Sequence, residues 1–189
     1  MLYNTKKIEE DIRKKLSKFR YEHTIRVAEE AKYLSKNYQI NEEKAYVAAL
    51  LHDIGKELSK EENDNFIKKY KLPNDLKKKE FASIIHADIG AEIAREKYNI
   101  DESIFKAIKY HTIGNENMDL LAKIVFVADK IGRENLNSKL QEIKKIAYEN
   151  IDDAIKLLFL IEEDKLKNKG LKLHSDTVKL LNKMKGKKS

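Results

Sequence analysis

The amino-acid sequence predicts an all-α helical bundle, and three observations carry that prediction. Apolar residues recur at helical spacing along nearly the whole chain. The 189 residues include one proline and six glycines, too few breakers for a many-turned β architecture. Acidic and basic residues, together 38% of the chain, are interleaved as on solvated helix faces. With 41% hydrophobic residues the chain can fill a core, and its length fits a single domain over 1–189.

Taken in order, Asn4 or Thr5 caps a first helix that runs to about Ser17. A second runs from near Arg20 to Asn37, with Val27, Ala28, Ala31 and Leu34 along one side. A third opens at Asn41, and Glu42 and Glu43 occupy its first turn, where the helix dipole favours acids. It passes through Ala48, Ala49, Leu50 and Leu51 into His52 and Asp53, and Gly55 is placed to stop it. Ser59 and Glu62 form a capping box for a fourth helix, and Pro73 breaks the chain after it. A fifth is expected from near Leu76, bending or restarting around His86 and reaching Tyr98. Asp101 caps a sixth that ends at His111, and 112–117 form a loop. A seventh covers 118–132, two more cover 137–149 and 152–168, and a last covers 174–184.

The absence of cysteine excludes a disulfide scaffold and a thiolate zinc site, so metal chemistry falls to His, Asp and Glu. The N-terminal stretch is charged from Lys6 on, unlike a secretory signal. The longest apolar stretches, such as "IVFVA" at 124–128, fall well short of the ~20 residues a membrane span needs, so a cytoplasmic protein without membrane contact is expected. The net charge of +7, part of it in Lys183, Lys185, Lys187 and Lys188, draws in polyanions. The nine tyrosines and six phenylalanines are scattered rather than interleaved with basic residues, which argues against nucleic acid. Apolar faces on the outer helices permit a homodimer.

Five histidines stand out. His23, His52, His86 and His111 each lie on or at the end of a predicted helix, and His174 stands apart. His52 and Asp53 follow a strongly apolar run, His86 follows two isoleucines, and His111 precedes Thr112 and Gly114. Asp129 is a lone acid inside an apolar helix, where an unpaired carboxylate is costly and something positive must sit beside it. Neutral imidazoles and carboxylates suit iron, manganese, cobalt, nickel or zinc. Six such donors exceed one tetrahedral zinc and suit two ions that share a carboxylate.

These residues resemble the HD-domain metal phosphohydrolase superfamily, whose order H…HD…D appears as His23, His52-Asp53 and Asp129. His86 and His111 lie between, as in the two-metal members. More closely the chain resembles the bacterial YqeK-like family of symmetrical diadenosine tetraphosphate hydrolases. That likeness rests on "HTIRVAEEA" (23–31), "AALLHDIGKE" (48–57), "IIHADIGAEIA" (84–94) and "AIKYHTIGNENMDLLAKIVFVAD" (107–129), and covers roughly 20–135 with helical extensions on both sides.

The resemblance implies that His23, His52, Asp53 and Asp129 hold one metal. Asp53 would bridge to a second, completed by His86 and His111. Two divalent ions are expected, iron foremost, with manganese, cobalt, nickel or zinc as substitutes. The implied substrate is a dinucleoside polyphosphate, cut at its central bridge to two nucleoside diphosphates by a metal-activated hydroxide attacking phosphorus. Lys56 is the expected phosphate partner beside Asp53, with Thr112, Asn115 and Arg133 as further contacts. Asp88, two residues past His86, is a candidate to orient a ligand or assist proton transfer.

One departure bears on the substrate. The family usually follows its Ala-Asp with an acid, a proline and an arginine, whereas this chain has Gly132, Arg133 and Asn135 at those places. Either Arg133 serves the phosphates from a new position or the segment marks a divergent subgroup. The alternatives are an HD phosphohydrolase acting on another nucleotide or phosphodiester, and a non-catalytic basic helical binding protein. The cyclic-dinucleotide branch carries paired histidines and a Gly-Tyr-Pro element, but the only proline here is Pro73.

Overall fold

The computed structural model describes residues 3–72 and 84–186, and those residues form ten helices and no strand. In chain order they are α1 (Thr5–Lys15), α2 (Lys18–Asn37), α3 (Glu42–Leu51), α4 (Lys60–Lys69), α5 (Ile85–Tyr98), α6 (Glu102–Tyr110), α7 (Leu120–Ile131), α8 (Ser138–Glu149), α9 (Ile151–Lys167) and α10 (Ser175–Gly186).

α3 and α7 are buried on most of their circumference. Ala45, Val47, Ala48, Ala49, Leu50 and Leu51 of α3 are inaccessible to solvent, and α7 buries a run from Ile124 to Asp129. Helices apolar all round belong in the centre of a fold, and here α2, α3, α6 and α7 pack against one another. The alanines of α3 let its neighbours approach closely. α5 covers α6 and α3, α1 lies on α3, and the α8–α9 pair covers α7 with α10 on α9. Glu30, buried on α2, is met by Lys144 and Tyr148 of α8, so this acid is a structural pair.

Caps explain where the helices start. Asn4 accepts from Lys7 N, Asn41 from Lys44 N and Asp101 from Ile104 N, and the Ser59–Glu62 capping box is formed in both directions. α1 stops at Lys15 instead of Ser17 because Ser17 is already the cap of α2, accepting from Arg20 N. α7 starts at Leu120, later than 118, because Asp119 caps it through Ala122 N. The start of the fifth helix near Leu76 and the break at Pro73 lie outside the described residues. Its described part begins at Ile85 and ends on Asn99, a left-handed cap at φ 48°.

Gly55 differs most from expectation. α3 ends at Leu51 with His52 as its cap, before Gly55 is reached. A Cβ on Gly55 would lie 2.5 Å from His86 O and 3.0 Å from Gly90 N. The glycine is needed so that the turn after α3 can touch the backbone of α5.

Candidate metal centre

α3 and α6 end in the same way. The last carbonyls of a helix lack intrahelical partners, and each helix uses one of them to fix a histidine. His52 Nδ1 lies 2.6 Å from Ala49 O, and His111 Nδ1 lies 2.7 Å from Ile108 O. A carbonyl can only accept, so in the neutral form of both rings Nδ1 carries the proton and the Nε2 lone pair faces the site.

Those lone pairs converge with four other side chains. His23 Nε2 is 3.1 Å from Asp129 Oδ1, and His52 Nε2 is 3.6 Å from the same oxygen. Asp53 stands between two groups of donors. Its Oδ2 is 3.4 Å from His52 Nε2, while its Oδ1 is 3.2 Å from His86 Nε2 and 3.7 Å from His111 Nε2. The His86 and His111 Nε2 atoms are 3.2 Å apart. The six residues come from α2, the end of α3, α5, the end of α6 and α7, and all are buried.

The electrostatics agree. Burial opposes ionisation of Asp53, but the charge of His52 and hydrogen bonds from His111, His52 and His86 hold its carboxyl far below the usual range. Burial opposes Asp129 as well, and Lys130, His23 and His52 overcome it. Burial disfavours the charged form of His52, yet Asp53 and Asp129 push it up to about 10. His86 is driven down to about 4, chiefly by burial, and His111 moves the same way.

His52 Nε2 is fully buried and has no hydrogen-bond partner, although carboxylate oxygens lie 3.4 and 3.6 Å away. Two donors each ~2.1 Å from one cation stand a little over 3 Å apart, so the spacing fits a shared ion better than a hydrogen bond. His23, His52 and Asp129 form one group able to hold a metal, and His52, Asp53 and His111 another.

This centre opens into a cleft of ≈ 600 Å³. Arg20, Arg26, Lys56, Lys130 and Arg133 line it, so cations surround the two buried acids. Arg20 Nη1 donates to Asp53 Oδ2 at 2.8 Å, and Lys56 Nζ lies 3.2 and 3.4 Å from the two ring nitrogens of His86.

The HD domain family matches residues 20–134, the stretch that carries all six donors. The chain belongs to the HD domain family. This HD domain is 32% identical to the symmetrical bis(5'-nucleosyl)-tetraphosphatase of Bacillus subtilis (strain 168), over 76% of this chain and 77% of that protein. It is 33% identical to the protein of the same name from Staphylococcus aureus, over 85% and 87% of the two chains. A Clostridium acetobutylicum crystal structure, described as a predicted HD superfamily hydrolase involved in NAD metabolism, superposes with a TM-score of 0.90. It is 28% identical, and the match covers 98% of this chain and 99% of that one.

Of the residues singled out in the sequence, the HD domain brings His23, His52, Asp53, His86, His111 and Asp129 together, with Lys56, Thr112 and Arg133 lining the same cleft. Asp88 and Asn115 do not line it. Asp88 pairs with Lys109 at 3.4 Å. Residues i and i+2 point to different sides of a helix, so the neighbour of His86 faces away from it. Asn115 accepts from Asn117 N and donates to Asp176, which makes it a loop fastener. Sequence reasoning missed Arg20, Arg26 and Lys130. Arg20 and Arg26 lie three residues either side of His23, on its face of α2, and that spacing was the available signal.

Proposed function

We propose that this HD domain is a phosphohydrolase that cleaves diadenosine tetraphosphate and related dinucleoside polyphosphates symmetrically to two nucleoside diphosphates. The observation that carries the reading is the placement of Asp53, one oxygen toward His52 and the other toward His86 and His111, at the floor of a cationic cleft. The relatives named symmetrical tetraphosphatases support the substrate class.

His23, His52, Asp53 and Asp129 would hold one divalent ion, and Asp53, His86 and His111 a second, with iron the first candidate. Ions held there supply Lewis acidity, withdrawing charge from phosphoryl oxygens and making water a usable nucleophile at neutral pH.

The side chains do the rest. Lys56, Lys130, Arg133 and Arg20 neutralise the polyphosphate and fix its register over the donors, and Thr112 offers a hydroxyl to a phosphoryl oxygen. The carbonyls of Ala49 and Ile108 hold the Nδ1 protons of His52 and His111, which leaves Nε2 as the atom each ring would offer to an ion. The buried cage limits bulk water to the open side of the cleft. The leaving half is a terminal phosphate whose second proton has a pKa of about 6, so it departs without a general acid. Asp88, paired with Lys109 outside the cleft, takes no part in this scheme.

The test is to incubate metal-loaded protein with diadenosine tetraphosphate and resolve the products by ion-exchange chromatography, with bound metal read by emission spectroscopy. ADP as sole product is expected. ATP with AMP would reject symmetric cleavage, and an inert substrate beside an active shorter nucleotide would assign a different phosphohydrolase.

A further inference from the structure

The chain has five arginines, and three of them are engaged within the fold. Arg13 lies over the ring of Tyr21, and Arg95 lies over the ring of Phe105 and pairs with Glu102 at 2.8 Å. Arg20 pairs with Asp53. Among the described residues, Arg26 and Arg133 have neither a carboxylate nor a ring partner, and both line the metal cleft. The Nε of Arg26 is buried and makes no hydrogen bond, so nothing in the fold offsets the partial burial of this guanidinium.

Two features of the fold set these arginines side by side. Arg26 follows His23 by three residues on α2, so it shares the helix face that carries a metal donor. Arg133 directly follows Gly132, the cap of α7, and a Cβ on Gly132 would lie 2.9 Å from Val27 Cα and 3.3 Å from Arg26 O. A residue without a side chain lets the end of α7 rest on the backbone of α2 there. The segment that departs from the usual pattern of the resembled family therefore has a structural consequence. Its glycine brings the backbone of Arg133 within one residue of the backbone that carries Arg26. Glu134 also lines the cleft, but it forms an ion pair with neither arginine.

We infer that Arg26 and Arg133 clamp a phosphoryl group across Gly132, and that Arg26 is the residue by which this chain selects a ligand with more than one phosphate. The phosphate chemistry rests on the activity proposed above. The other cations of the cleft are already engaged with the donor cage: Arg20 with Asp53, Lys130 with Asp129, and Lys56 against His86. Arg26 and Arg133 pair with none of the six donors, so they suit the phosphate next to the one that the cage faces. Two guanidinium groups without a counter-charge repel one another, and an anion between them reverses that balance. The fork of a guanidinium matches two oxygens of one phosphoryl group, a fit that a lysine ammonium lacks.

Calorimetric binding to the metal-loaded full chain tests this without turnover, with ADP and AMP as probes that differ by a single phosphate. Wild type is expected to bind ADP at least ~tenfold more tightly than AMP, the ratio that equals about 1.4 kcal/mol. Arg26→Gln is expected to lower ADP affinity ~tenfold and to leave AMP affinity within about twofold, with bound metal unchanged in emission spectroscopy. Arg26→Lys keeps the charge but not the fork, and is expected to lose at least ~threefold in ADP affinity. Lys145→Gln removes an exposed α8 charge outside the cleft, and is expected to alter neither affinity. The inference falls if wild type shows no preference for ADP, or if Arg26→Gln binds ADP as before or weakens AMP as much as ADP. It falls too if Arg26→Gln loses metal, since Arg26 would then serve the cage, or if Arg26→Lys matches wild type. Equal losses in Lys145→Gln and Arg26→Gln would reduce the effect to net charge and also overturn it. An ADP preference that vanishes in Arg26→Gln, in a protein that leaves diadenosine tetraphosphate intact, would keep the clamp and sink the proposed activity. Cleavage by a wild type whose ADP affinity does not depend on Arg26 would do the reverse.

Discussion

Asp53 is surrounded by four basic groups, the imidazoles of His52, His86 and His111 and the guanidinium of Arg20, so removing it leaves all four without their shared carboxylate in a buried space. Asp53→Ala is expected to lose bound metal in emission spectroscopy and to reduce turnover by on the order of 10²-fold or more. Unchanged metal content would displace Asp53 from the centre. Arg20→Ala removes a group that orients that carboxylate, and outer partners of this kind are worth ~10–100-fold in metal affinity or activity. A metal titration followed by steady-state kinetics separates the two effects. Three of the six donors stand out in the sequence because they violate their surroundings: Asp129 is an acid in an apolar helix, and His52 and His111 end apolar helices. Arg20 was not legible, because an arginine on an amphipathic helix looks like any solvated cation until the fold shows what it faces. Asp88 misled because closeness in sequence to His86 is not closeness around a helix.

At the scale of elements, the site depends on how near α5 lies to the turn after α3. Gly55→Ala places a methyl against His86 O, and the strain of such overpacking is ~1–3 kcal/mol. Chemical denaturation is expected to show that loss, and metal content should fall with it because His86 moves with its helix. Asp101 offers a second prediction. Burial opposes its ionisation, but Lys44, at 2.7 Å, and the Ile104 amide pull its carboxyl down to about 2. A carboxyl held below its unfolded value stabilises the fold at pH above that value, about 3.9, and loses this contribution as pH falls toward 2. Asn also caps helices well, so Asp101→Asn is expected to keep α6 while flattening the urea-midpoint dependence between about pH 4 and pH 2. Helix existence was readable from caps and periodicity, but the ends were not. Ser17 could close one helix or open the next, and its hydrogen bonds chose the second.

For the whole molecule, charge and topology set the behaviour. A chain of net charge +7 whose cleft is lined by cations attracts a polyphosphate from a distance, and salt screens that attraction over ~8–10 Å at physiological strength. kcat/KM is expected to fall several-fold between low and high salt while kcat stays nearly level, and a flat profile would argue against steering. The all-α class followed from composition and periodicity. The ≈ 720 Å³ cavity between α7, α8, α9 and the segment leading into α10 did not, because it arises from packing between segments whose sequences look like ordinary amphipathic helices. The six donors lie between residues 23 and 129 and meet only when five parts of the chain have folded together. An ion that recognises only the assembled cage adds to folding stability, by ~2.7 kcal/mol at a hundredfold excess over its Kd. In a cell starved of transition metals the polypeptide would open more often and meet proteases more often. Its abundance, as well as its catalysis, would then report the supply of the ion.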